Sequence, residues 1–183
     1  MNKKFSIEID KQIFSVSSSV APDDELAKYR ASVSLDAKEI ADSKSTVVLS
    51  VHWKFRDGLL NKVAGILELQ AIIRNSGAHN VASEGALKEE IQRYMAYELS
   101  DISNAGPLSI DTVDINQRRW LKYAVPKLAM TEYSTALSDN RYLTVQFALV
   151  DDADQPEWKG KARALIEELV KSLNIDLASN SRA

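Results

Sequence analysis

Cysteine is absent from the 183 residues, which removes disulfides, thiolate catalysis, iron–sulfur clusters and every zinc site built on sulfur. Glycine occurs six times and proline four times. The glycines, at 58, 65, 77, 85, 106 and 160, are scattered, so none builds a phosphate cradle after a strand. Neither sign of charge dominates: 26 acidic residues face 23 basic ones, a formal net charge of -3, and nucleic acid and anionic membranes are disfavoured as partners. No apolar run approaches about 18 residues, so no membrane span is read. "MNKK" has the charge of a leader, but Glu8, Asp10 and Lys11 interrupt the apolar stretch that should follow. No export signal is read, and the cytoplasm is the expected compartment.

What the chain does have is apolar alternation, within a 45% hydrophobic composition large enough for one substantial core. A single domain over 1–183 is expected, with a frayed tail after 176. Phe5, Ile7 and Ile9 alternate with polar residues as in a half-buried strand, and Phe14, Val16 and Val20 suggest its partner. Residues 21–28 connect to a third candidate, "RASVSLDA". In "STVVLSVHWKF" the set Val47, Leu49, Val51, Trp53 and Phe55 is expected in the core, with Val48, Ser50, His52 and Lys54 on the other face. Residues 59–74 carry two patterns. Leu60, Val63, Leu67 and Ala71 fit a helix face, whereas Leu67, Leu69, Ala71 and Ile73 alternate; Gly65 and the β-branched isoleucines favour a strand over 65–74.

Ser83 is a candidate cap for a helix running to about Leu99, with Leu87, Ile91, Tyr94 and Met95 inward and Lys88, Glu89, Glu90 and Arg93 outward. Then "LSIDTVDI" and "RRWLKYAVP" read as strands joined around Asn116 and Gln117. A hairpin over "TEYSTALSDNRYLTVQFALVD" completes a four-stranded meander, with Leu143, Val145, Phe147 and Leu149 facing the core. A last helix follows, with Asp154 as its candidate cap, Pro156 in its first turn, and Ala162, Leu165, Ile166, Leu169 and Leu173 as its apolar stripe. This order predicts an α+β fold, an antiparallel sheet flanked by helices.

"RRWLKYAVP", "EYSTALSDNRYLTVQFALVDD" and "WKGKARALIEELVKSLNI" resemble the C-terminal half of the PsbP-like fold, in which a hairpin with a "YLTV" type strand precedes a terminal helix. The resemblance covers residues 110–176; the first half corresponds only in strand count. It implies an α/β/α sandwich and a non-enzymatic protein-binding or scaffolding module. A bacterial immunity or adaptor protein that blocks a toxin is one form of that. No functional motif transfers residue by residue, so fold analogy alone carries this expectation.

The candidate chemistry is sparse. His52 lies on the outer strand face beside Lys54 and His79 in the loop "SGAHN", without ligand spacing, and no metal or cofactor is expected. A hydrolase using His52 or His79 with nearby carboxylates is the rival reading, although no GxSxG elbow is present. A small-molecule carrier is a third, and it requires a cavity of several hundred cubic ångströms. The acids at 151–152 and 167–168 read as solvated charges, and "VDDADQ" lacks the glycine and distal glutamate of an EF-hand. On "RRWLKYAVP", Arg119, Leu121, Tyr123 and Val125 share one face, and Arg118, Trp120 and Lys122 the other, where the next strand is expected to add Tyr142, Thr144 and Gln146. Trp120 has two readings: core beneath a helix, or an exposed hot spot for an acidic protein partner formed with Arg118, Lys122 and Tyr142.

Overall fold

The computed structural model describes residues 3–9, 11–25, 44–57, 61–99, 108–125, 128–151 and 156–177. The described chain forms ten strands: β1 (Lys3–Ile9), β2 (Gln12–Ser18), β3 (Asp24–Glu25), β4 (Ser45–Asp57), β5 (Lys62–Asn75), β6 (Ile110–Ile115), β7 (Arg118–Val125), β8 (Met130–Ala136), β9 (Arg141–Asp151) and β10 (Asn174–Leu177). Two helices, α1 (Glu84–Glu98) and α2 (Pro156–Ser172), complete the described fold. The strands form a three-stranded sheet, β1-β2-β10, and a seven-stranded sheet, β3-β4-β5-β9-β8-β7-β6. Every pairing is antiparallel.

Two cores lie on the two faces of the large sheet. The first joins Leu49, Val51, Trp53, Leu67, Leu69, Leu143, Val145 and Phe147 to the small sheet, through Phe5, Ile7, Phe14 and Val16, and to α2, through Trp158, Ala162, Leu165 and Leu169. The second joins α1, through Leu87, Ile91 and Met95, to Ile110, Leu121, Tyr123, Val125 and Tyr142 on the opposite face. Period-two alternation in the strands is what lets one sheet feed both cores.

The single sheet expected from the sequence is divided into two, and four further details depart from the sequence reading. Val48, expected outward, is fully buried, because the register shifts between Val47 and Leu49 and the extra residue of the bulge turns it inward. Glu90, expected on the outer face of α1, is buried. Residues 174–177, read from the sequence as the end of the last helix and the start of a frayed tail, instead pair with β2, Ile175 opposite Phe14. Residues 21–28 include the two-residue β3, with Asp24 opposite His52. The candidate strand "RASVSLDA", the cap Asp154 and the tail from 178 lie outside the described residues.

The ambiguous segment is strand β5, and Gly65 within it has a packing reason. A Cβ on Gly65 would stand 2.3 Å from the Trp158 ring, which is itself buried against Phe55, centroid to centroid 5.8 Å. Glycine is what lets α2 seat its indole directly on the strand backbone. Gly65→Ala is therefore expected to cost about 1–3 kcal/mol by overpacking. Urea denaturation checks this, and the penalty should shrink in a Trp158→Leu background, where the ring is gone.

Candidate binding cleft

The four residues expected to make a hot spot do not share a surface. Trp120 is 0% exposed and Tyr142 1% exposed, and they belong to different cores, Trp120 to the one under α2 and Tyr142 to the one under α1. The neighbour of β7 is β8, not β9. Its register, Leu121 with Ser134 and Ser134 with Thr144, sets Thr144 on the Leu121 face, along with Tyr142 and Gln146. Arg118 is half-buried and donates to Thr135 Oγ1 at 3.2 Å, to Gln12 Oε1 at 3.3 Å and to the Ala136 carbonyl. Burial lowers its pKa. Of the four, Lys122 alone is exposed.

The histidines are not brought into a catalytic arrangement. His52 Nε2 lies 3.1 Å from Glu68 Oε1, off the line of a hydrogen bond. The same carboxylate accepts from Gln70 at 2.6 Å and from Ser50 Oγ at 3.4 Å. The acid thus stands between hydroxyl and imidazole, whereas a nucleophilic triad needs the imidazole in the middle. His79 is exposed in the loop after β5. Among the described residues, no group of three or more His, Asp or Glu side chains is placed to hold a metal ion.

A different concavity emerges where α1 folds back over the end of β5. The connecting turn is tightly held: Asn75 Oδ1 accepts from the Gly77 amide at 2.8 Å, Ser76 N donates to Asn140 O at 2.9 Å, and Val81 N donates to Asp139 O at 2.6 Å. Gly77 supplies a φ of 66°, a left-handed conformation that a side chain disfavours. Ser83 then caps α1, accepting from Ala86 N. Between helix and strand lies an open cleft of about 660 Å³, lined by Lys44, Ser45, Arg74, Asn75, Ser76, Gly77, Glu90, Arg93, Tyr94, Tyr97, Glu98 and Tyr142.

Its floor is a buried polar network. The Arg74 guanidinium sits 4.0 Å above the Tyr94 ring, donates from Nε to Thr144 Oγ1 at 3.3 Å, and places Nη2 3.7 Å from Glu132 Oε1. Thr144 continues to Ser134 and Ser134 to Tyr123, each hydroxyl contact 2.9 Å long. Burial alone would weaken the hold of Arg74 on its proton, but Glu132 and the surrounding tyrosines outweigh it and raise the pKa. Burial raises the phenols of Tyr94 and Tyr123 and pushes that of Tyr142 up to about 12. On the rim, Arg93 pairs with Glu90, and Tyr97 is 75% exposed.

The raised phenols have a consequence at high pH. Below the usual tyrosine value near 10 both folded and unfolded chains hold the proton; between 10 and 12 the unfolded chain loses it first, so stability falls as pH rises. The Tyr142 phenol should contribute a slope of about 1.4 kcal/mol per pH unit across that window. Denaturant midpoints measured from pH 9 to 12 should drop, and Tyr142→Phe should flatten the decline.

Sequence reasoning missed Arg74, Glu132 and Tyr97. Arg74 and Glu132 fall on the strand faces opposite Ile73 and Tyr133, which alternation leaves outward, so the sequence pattern alone gave no sign that either is buried. Nothing along the chain tied one to the other. Compared with known proteins, the sequence matches no family model and no curated protein.

Proposed function

We propose that this chain is a non-enzymatic protein-binding module whose contact surface is the cleft between α1 and β5. The observation that carries it is Tyr97, a large aromatic left 75% exposed on the rim of a cleft whose floor is an arginine already stacked on Tyr94. Tyrosine and arginine are the residue types that concentrate binding energy at interfaces. Side chains fixed before contact lose little entropy on binding. The antiparallel order from β6 to β9 followed by α2 supports the PsbP-like reading of the second half, and with it a scaffold that presents shape rather than reactive groups. A toxin-blocking immunity or adaptor role is the specific form this resemblance favours, and a toxin gene beside this one would support it.

The test is a photo-crosslinking amino acid at position 97 in the full chain, expressed in cells that naturally make it. A discrete adduct is expected, competed by wild-type protein and not by a Tyr97→Ser/Arg93→Ser variant. An adduct pattern identical to that from exposed Lys161 on α2 would sink the reading. The cleft volume, about 660 Å³, also falls in the range of small-ligand sites and favours a carrier as the second reading. In that case the position-97 crosslink would be to a small molecule and no protein adduct would form.

A further inference from the structure

Beyond the cleft, we infer that the open edge at β6 is a second docking surface, one that adds an extended, basic strand of a partner protein to the seven-stranded sheet. β6 ends the sheet and pairs with β7 alone among the described strands. It is six residues long with unbroken register, Ile110 to Tyr123 through Ile115 to Arg118. It contains no proline or lysine and no bulge, three of the devices that blunt an edge, and its two charged residues are both acidic.

The hairpin turn says which backbone groups face outward. Asn116 and Gln117 both have positive φ, 47° and 65°, a two-residue primed turn, so Ile115 and Arg118 form the hydrogen-bonded pair that closes it. Alternation then directs the amides and carbonyls of Ile115, Val113 and Asp111 to β7, and those of Asp114, Thr112 and Ile110 away from the sheet. The edge is held at its middle and at its turn. Thr112 Oγ1 donates to Glu84 Oε1 of α1 at 2.6 Å, and Asn116 Nδ2 donates to the Lys171 and Leu173 carbonyls at 3.0 and 2.9 Å. Such an edge is an ordered template for strand addition.

Charge selects the occupant. The strand carries two carboxylates, Asp111 and Asp114, both exposed, and no cation of its own. In the register Asp111 stands opposite Lys122 and Asp114 opposite Arg119; the Arg119 guanidinium, 3.8 Å from Asp114, is shared with Glu84 at 3.0 Å, so three carboxylates here meet two cations. A second copy of this chain fits poorly. Self-pairing centred on Thr112 sets the two Asp111 side chains diagonal to each other, and centring on Val113 does the same to Asp114, where like charges repel. A strand with basic residues three positions apart instead meets Asp111 on one face and Asp114 on the other.

The experiment uses the full 15N-labelled chain and two capped heptapeptides of alternating valine and threonine. One has lysine at two positions three apart, and the other has glutamate there. In the free protein the Thr112 and Asp114 amides should exchange with solvent much faster than those of Val113 and Ile115. The lysine peptide should slow them saturably, and the glutamate peptide should bind at least tenfold more weakly. Thr112→Pro removes one outward donor from an edge position and should weaken the lysine peptide at least tenfold. Asp111→Lys/Asp114→Lys, which leaves the backbone intact, should invert the peptide preference. Slow exchange of the Thr112 and Asp114 amides in the free monomer, equal binding of both peptides, binding of neither, or a dimer that protects these amides would each overturn the proposal. None of these readouts involves Tyr97, so the cleft and the edge stand or fall separately.

Discussion

Glu132→Ala is expected to lower stability by about 3–5 kcal/mol, because it leaves the Arg74 guanidinium charged, buried and without its counterion. Glu132 is only 2% exposed, and its contact with Arg74, 3.7 Å between Nη2 and Oε1, is longer than a hydrogen bond. The pair is therefore loose for its depth, and its other oxygen, Oε2, has no hydrogen-bond partner among the described residues. The desolvation cost of two ions is then only partly offset, and replacing both by apolar side chains should recover most of the loss. Urea denaturation of Glu132→Ala, Arg74→Met and Arg74→Met/Glu132→Leu closes the cycle. If the double variant is as unstable as the single ones, the network of Thr144, Ser134 and Tyr123 depends on the charges themselves. If Glu132→Ala is harmless, the pair contributes nothing.

This pair marks the boundary of what the sequence discloses. Alternation is a local signal and it placed the meander well. Leu143, Val145 and Phe147 face the first core, Leu121, Tyr123 and Val125 face α1, and Ser83 caps that helix. A sheet's long-range register is not local. It is set by which strands become neighbours, and it brings Arg74 of β5 to Glu132 of β8 across β9, 58 positions apart in a chain with 49 charged residues counted by sign. The bulge at Val48 is equally silent, since one inserted residue changes which face is buried without changing composition. The cleft follows from the first effect, because Arg74 of β5 and Tyr142 of β9 line it together with α1.

Trp120→Ala is the second large effect, and it separates the two readings of "RRWLKYAVP". An exposed interface tryptophan can be truncated with the melting temperature unchanged and binding lost. Trp120, at 0% exposure within the core that α2 and the small sheet close, should instead cost about 3–5 kcal/mol as the indole volume is left as a cavity. At this chain length that corresponds to a fall in melting temperature of roughly 6–20 °C. Its Nε1 is buried without a hydrogen-bond partner among the described residues, so the indole acts there as volume, not as a donor. Trp120→Phe, which keeps an aromatic ring and gives up no hydrogen bond, should therefore lose far less than Trp120→Ala. Both are read by thermal and urea unfolding of the full chain. A Trp120→Ala protein that melts with the wild type would move the indole from the interior to a surface and overturn its place in the first core.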